Sequence, residues 1–412
     1  LVTAAGAALA LRWGSEKLAG LALIGGFLTP LLLSTGTNQY TSLFTYLLIL
    51  DLGFLAISAG RRFTQLSLLA LIGTGFVFSS WYFRFYQPLF LGPTMLFLTL
   101  AFLVFLIAPT LRSLISRQTI AGSSDSVLAA LNAAAYFGLS YHLLIALYEP
   151  YLGFFFVIGA AVYLALGTLL AAINPTDRSN LLALTGVGLV LATVAIPVQL
   201  TGQWITIAWA VEGLILTIVG FRLASEHLRT FSLIVLTIMV VRLVAIDQRI
   251  HGSLAAFTPI WNGRFFTFLI SSLSLFAAAY FYHRGKSSLT AREHNIPAGL
   301  GVAANLSLTL TLSQEISAST DSANLKNLLW SLLWTAQAAV LMVAGIVWHS
   351  KVARQLAIVG LAIVIAKVFL VDIAQLSDLY RIISFISLSL VLLVLSFLSY
   401  RFRDTLKRFL LE

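Results

Sequence analysis

Apolar runs about twenty residues long alternate with short polar breaks along almost the whole of this chain. They fall at about 18–35, 41–60, 63–82, 89–110, 125–147, 151–173, 181–200, 204–221, 228–247, 264–283, 296–316, 326–349, 352–372 and 379–400, with a shorter run at 1–11. A helix needs about 20 apolar residues to cross the hydrocarbon core of a bilayer, so each longer run predicts a transmembrane helix. The run at 1–11 is too short to span and reads as the end of a span that starts upstream of Leu1. The breaks hold turn formers, as in Gly36-Thr37-Asn38, Asn174-Pro175-Thr176-Asp177 and Asn262-Gly263. No stretch is long enough or polar enough for a separate soluble domain. The expected fold class is all-α, a polytopic transmembrane helix bundle of about 15 spans.

The basic residues test this map independently. Eighteen of the 25 Lys and Arg follow odd-numbered spans, from Arg12 and Lys17 through Arg61 and Arg62 to Arg401, Arg403, Lys407 and Arg408. Only Arg84, Arg249, Arg264, Lys326 and Arg381 follow even-numbered spans, and Arg242 and Lys367 lie inside spans. Missing or inventing one span would scramble this alternation. Positive loops stay in the cytoplasm, which predicts a multi-pass membrane protein with its C-terminus in the cytoplasm.

Composition agrees, with 59% apolar and only 10% charged residues, against about a quarter charged in soluble domains. The net charge of +10 sits in short loops and forms no stripe suited to a phosphate backbone, so nucleic acid is not an expected partner. The chain has no cysteine, which excludes disulfides, thiolate nucleophiles, zinc–thiolate sites and iron–sulfur clusters. No Walker loop, HExxH, GxSxG or Asp-rich cluster occurs. A haem would need paired axial ligands, and no histidine pair lies at matching depth. No cofactor and no metal are expected, and no catalytic motif identifies an enzyme.

An internal repeat is legible at an offset of 125 residues. Trp209–Asp247 aligns without a gap on Trp334–Asp372, placing Gly220 on Gly345, Arg229 on Arg354, Arg242 on Lys367, and Glu212 on Gln337. Eight of 39 positions are identical, and they include most of these landmarks. Gln199 corresponds to Gln314, and Arg264 opens the next span as Arg381 does. The organisation expected is an N-terminal membrane region 1–180, a four-span unit 181–295 and a second four-span unit 296–412. Four is an even number, so the two units share an orientation and the repeat is parallel. A weaker third copy places Leu21–Gly25 on Leu182–Gly186 and Asp51 on Glu212.

The runs GGFLTPLLLST (25–35), FTYLLILDLGFLAISAGRRF (44–63), AIPVQLTGQWITIAWAVEGLIL (195–216) and KVFLVDIAQLSDLYRIISF (367–385) carry a resemblance. The chain resembles a large bacterial family described only as predicted membrane proteins (domain of unknown function 2339). That resemblance implies a bacterial inner-membrane location and many spans. It supplies no reaction, substrate or catalytic residue.

Ionisable groups inside hydrocarbon are costly and mark either a site or a buried pair. Asp51 lies mid-span, and Glu212 lies three residues after Trp209. Arg242 and Asp247 are five residues apart, about 140° around an α-helix, so each is expected to find a partner elsewhere. Glu212 is the expected partner of Arg242, across the hairpin between adjacent spans. In the second unit Gln337 replaces the acid, which leaves Lys367 to meet Glu315, Asp372, a lipid headgroup or a solute. With Arg264, Arg381 and His142, these residues cluster in the outer half of the membrane. They are the candidate substrate-binding set, and each can also be read as structure: a lock between spans, a helix-end cap, or a hydrogen-bonded histidine.

Three functions fit an outward polar zone: transport or flipping of an amphiphilic or anionic envelope solute, a scaffold within a membrane assembly, or a transferase on a lipid-linked substrate. The expected partners are membrane lipids, an anionic headgroup or solute, and other membrane proteins.

Overall fold

Serine and asparagine open several of the helices. Ser15, Ser225 and Ser350 each accept a hydrogen bond from the backbone N–H three residues on, and Asn262 does the same for Phe265. These caps satisfy donors that the first turn of a helix leaves orphaned. Glu16 and Glu226 follow two of them, where the positive end of the helix favours an acid.

The computed structural model describes residues 2–34, 36–61, 63–116, 123–247, 258–347 and 350–372. These contain thirteen α-helices: α1 (Val2–Trp13), α2 (Glu16–Leu32), α3 (Tyr40–Arg61), α4 (Thr64–Phe85), α5 (Leu91–Ser116), α6 (Ser123–Ile173), α7 (Arg178–Gln199), α8 (Trp204–Arg222), α9 (Glu226–Arg242), α10 (Gly263–Arg284), α11 (Ile296–Ser319), α12 (Ala323–Val347) and α13 (Lys351–Lys367). No strand occurs among the described residues. Among the described residues, eleven helical segments are long and apolar enough to cross a membrane. The run at 379–400 and the tail at 401–412 lie outside the described residues.

One of the eleven is 50 residues long, about 75 Å of continuous helix and far too long for one crossing of a core about 30 Å thick. It is a hairpin. Tyr148 leaves helical geometry at φ −131 and ψ 23, two residues before Pro150, which cannot donate to the helix ladder. The arms then fold back on each other. The Tyr163 hydroxyl donates to the Ala129 carbonyl, and Phe137 meets Phe156 with ring centroids 5.2 Å apart. In a straight helix Ala129 and Tyr163 would stand about 51 Å apart. The two runs read at 125–147 and 151–173 are therefore two crossings. The amide of Gln199, at the end of α7, ties down the turn by donating to the Pro150 carbonyl at 3.1 Å.

The chain divides into two compact units, Leu1–Gln199 and Leu200–Glu412. In the first, α1 to α7 surround an aromatic core in which Phe44 stacks on Phe97 and Phe102 on Tyr136. In the second, α8 packs on α9 and α10, α10 on α11, and α12 on α13.

Both units are apolar outside and carry small polar groups within. Phe76, Ile49, Ile215 and Val340 are exposed, whereas Asp51, Ser58, Ser140, Thr206, Thr217, Ser232 and Ser271 are fully buried. Water would impose the opposite arrangement. Where lipid is the solvent, small and hydroxyl-bearing residues gather at helix contacts.

Two hairpins in the second unit share local geometry. A Cβ on Gly220 would lie 2.8 Å from Arg229 Cγ, and one on Gly345 would lie 2.7 Å from Arg354 Cγ, so each glycine admits an arginine stem. Helices α9 and α13 are both 17 residues long, and each runs into a five-residue π turn, Leu243–Asp247 and Val368–Asp372.

Candidate functional site

Four helix ends of the second unit meet at one end of that unit: the start of α8, the π turn after α9, the start of α10 and the last turns of α11. The loop before α8 turns at Gly202, whose φ of +57 suits glycine because it has no Cβ to clash. Thr201, Gly202, Gln203, Trp204, Asp247, Arg264, Thr267 and Phe268 enclose a pocket of about 300 Å³.

On one side of the pocket lies a three-residue chain. The hydroxyl of Thr206 donates to Asp247 Oδ2 and accepts from Arg242 Nε at 3.1 Å. Arg242 Nη2 donates to the Gly202 carbonyl at 2.9 Å and lies 4.0 Å from Asp247 Oδ1. The arginine thus binds the Gly202 turn to the end of α9.

On the other side, Glu315 organises the approach to α10. It accepts from the Ile260 N–H at 2.9 Å and from the Asn262 amide at 3.0 Å, and it pairs with Arg264 at 3.5 Å. Ile260 has φ +68, a left-handed conformation that is unfavourable for a β-branched residue, and Glu315 receives its N–H there. The site therefore holds two guanidinium groups, two carboxylates, three hydroxyls, two side-chain amides and two aromatic faces.

Several pairings differ from those expected. Arg242 turns to Thr206, Gly202 and Asp247, not to Glu212. The reason is the π turn, in which bonds run from i to i+5, so residues five apart return toward one face instead of standing about 140° apart. Glu212 lies partly buried on α8, six residues further along than Thr206. Glu315 is engaged by the α10 approach and is not the partner of Lys367. The Lys367 ammonium donates to the Asn327 carbonyl at 2.6 Å and to Ser331 Oγ at 2.7 Å, which ties α13 to α12. Nor does Lys367 face Gln337, whose amide bonds Thr309 and the Asn305 carbonyl on α11.

Of the expected set, Arg242, Asp247, Arg264 and Glu315 come together here, whereas Lys367 and Gln337 lie elsewhere in the unit. Asp51 and His142 belong to the first unit. Asp51 is fully buried and accepts from the Thr74 hydroxyl at 2.8 Å. His142 is exposed, with its ring edge-on to Tyr82. Arg381 and the side chain of Asp372 lie outside the described residues. Among the described residues no three His, Asp or Glu side chains converge as metal ligands would.

Sequence reasoning passed over Thr206, Gln203, Asn262 and Thr267, because hydroxyls and amides in apolar runs carry no signal of which neighbour they meet. It also missed a clasp at the far end of the unit. Arg229 and Glu293 form a buried bidentate pair, Nε to Oε1 at 2.7 Å and Nη2 to Oε2 at 2.9 Å. Glu293 also accepts from the Thr290 N–H, and the Arg229 guanidinium lies over the Phe221 ring. The Arg229 partnership holds the Glu293 carboxyl below the usual glutamate range. The repeated arginine at 229 and 354 was the available signal.

Span-length helices, an apolar exterior and buried hydroxyls define a polytopic helical membrane protein. The chain belongs to the family described as "Predicted membrane protein (DUF2339)", whose family model matches residues 1–327 and again 231–402. No curated protein and no solved structure matches it.

Proposed function

We propose that this protein takes up an amphiphilic anionic solute of the cell envelope at the pocket of the second unit, and transports or flips it. The observation that carries this reading is the pocket itself, which puts Asp247 and Arg264 into one space of about 300 Å³ beside Thr267, Trp204 and Phe268. A guanidinium can hold a phosphate or carboxylate through two parallel N–H bonds, and the aromatic faces suit an apolar tail. A scaffold would need no such space.

The test uses proteoliposomes carrying fluorescent phosphatidylglycerol or phosphatidylcholine, with chemical quenching of the outer leaflet. Wild-type protein should move phosphatidylglycerol between leaflets. Arg264→Gln and Thr267→Trp should each slow that movement at least tenfold while the protein still elutes as a folded species. If phosphatidylglycerol does not move, or if both variants match wild type, the scaffold reading takes its place.

Two further parts of this reading concern organisation. The paired hairpins 209–247 and 334–372 are proposed to belong to parallel four-span repeats, 181–295 and 296–412. Supporting this are the capping serines Ser225 and Ser350, the equal lengths of α9 and α13, and the π turn that closes each. The orientation proposed puts the α8 start, and with it the pocket, at the outer face of the cytoplasmic membrane. A reporter active only outside should work when inserted within 250–260 and stay silent when fused after Glu412. The reverse pattern overturns this orientation.

A further inference from the structure

The first unit holds a second pocket, of about 360 Å³, between the ends of α2, α3 and α4. Its origin is local. Pro30 sits in the last turns of α2 and has no N–H to donate back to the Gly26 carbonyl four residues earlier. That carbonyl is instead met by the Tyr46 hydroxyl of α3 at 2.8 Å. Trp81 of α4 likewise spends its indole N–H on the Asn38 side chain at 2.9 Å. Both amphipathic rings are thus fixed as walls, with their polar ends satisfied.

The lining has two characters. Pro30, Leu31, Leu33, Leu43, Val77 and Phe85 supply apolar lining. Ser34, Ser42, Ser80 and Arg84 supply polar lining, and Arg84 is the only charged residue in it. Arg84 is exposed, lies over the Phe85 ring, and has no carboxylate partner among the described residues. The first turn of α3, which begins at this end, carries no acid either. A helix start offers N–H groups and partial positive charge to an anion.

We propose that this pocket binds an amphiphilic phosphodiester, with the phosphate on Arg84 and the α3 start and the chain against the apolar lining residues. A phosphodiester carries one negative charge, which the single guanidinium matches, and arginine grips phosphate bidentately. The volume lies within the range of small-molecule pockets, about 300–1,000 Å³. This site shares no residue with the pocket of the second unit and stands whether or not the transport reading holds.

Native mass spectrometry of the full chain in detergent tests it by counting the first bound molecule of dioleoyl phosphatidylglycerol or dioleoyl phosphatidylcholine, with glycerol 3-phosphate as competitor. Wild type should prefer phosphatidylglycerol by about fivefold, the effect of roughly one basic residue near an anionic surface. Arg84→Gln should remove the preference, Arg84→Lys should keep part of it, and Ser80→Trp, which fills the pocket without touching the charge, should weaken both lipids. Arg84 is exposed, so its variants should keep the wild-type melting temperature. A preference that is undiminished by Arg84→Gln in the Arg264→Gln background, where the second-unit pocket has lost its guanidinium, overturns the site. Equal competition by glycerol 3-phosphate overturns the amphiphile in favour of a soluble phosphate ester.

Discussion

Glu293→Ala should destabilise this protein more than any other single substitution considered, by about 3–5 kcal/mol, the cost of leaving a buried charge without its partner. Arg229 and Glu293 are both almost fully buried, with side-chain exposures of 3% and 5%, and the carboxylate takes both prongs of the guanidinium. Removing the acid strands Arg229 beside Phe221 and Tyr282, whose hydroxyl already bonds the Arg229 carbonyl. Replacing both partners, as Arg229→Met with Glu293→Leu, removes the stranded charge and should recover most of the loss. Melting temperature in detergent reads both, and a double variant as unstable as Glu293→Ala would argue against the clasp.

The same pair sets a pH dependence. The carboxyl of Glu293 titrates below its ordinary value because Arg229 bonds the charged form. A depressed acid stabilises the fold fully above the unfolded value, about 4.3, and that contribution disappears as pH falls through the native value. Wild type should therefore lose stability on acidification below about pH 4 more steeply than Glu293→Gln, which has nothing there to titrate. Parallel curves would show that the pair contributes nothing.

Gly159→Leu should have the next largest effect, because it forces apart the two arms of α6. Even a Cβ at Gly159 would run into the ring of Phe137 on the opposite arm, and that ring is buried against Phe155 and Phe156. Overpacking a filled contact costs about 1–3 kcal/mol for added methylenes, sometimes more. On the same helix, Gly138 has open space where its Cβ would go. Gly138→Ala should then raise stability slightly, by about 0.5–1 kcal/mol, as expected when glycine leaves a helix interior. Equal losses from both variants would mean that α6 tolerates no change, and the hairpin contact would not be the cause.

The sequence alone was enough to place most of the spans, because membrane insertion depends on apolarity summed over about twenty neighbouring residues. The run read at 18–35 folds as α2, which at 17 residues is not among the eleven span-length segments. It even separated 125–147 from 151–173, where the helix is nearly continuous, since Pro150 breaks the ladder wherever it stands. The sequence also marked which charges lie within apolar runs, and four of them, Arg242, Asp247, Arg264 and Glu315, do border one site.

The partners of those charges were decided by the tertiary structure. A π turn adds residues to one turn of backbone and rotates everything after it, so the α-helical angle between Arg242 and Asp247 predicted separation where there is contact. Glu315 is one of several partners the sequence offers Lys367, but it is drawn to the Ile260–Arg264 segment, 51 to 55 residues earlier in the chain. Glu293 lies between two apolar runs, where nothing in the sequence marks it, and it is the buried end of a clasp reaching 64 residues back. Hydropathy is additive along the chain and survives errors of a residue or two. An ion pair depends on the rotation and depth of two helices at once, and one residue of slip in either moves the partner by about 100°.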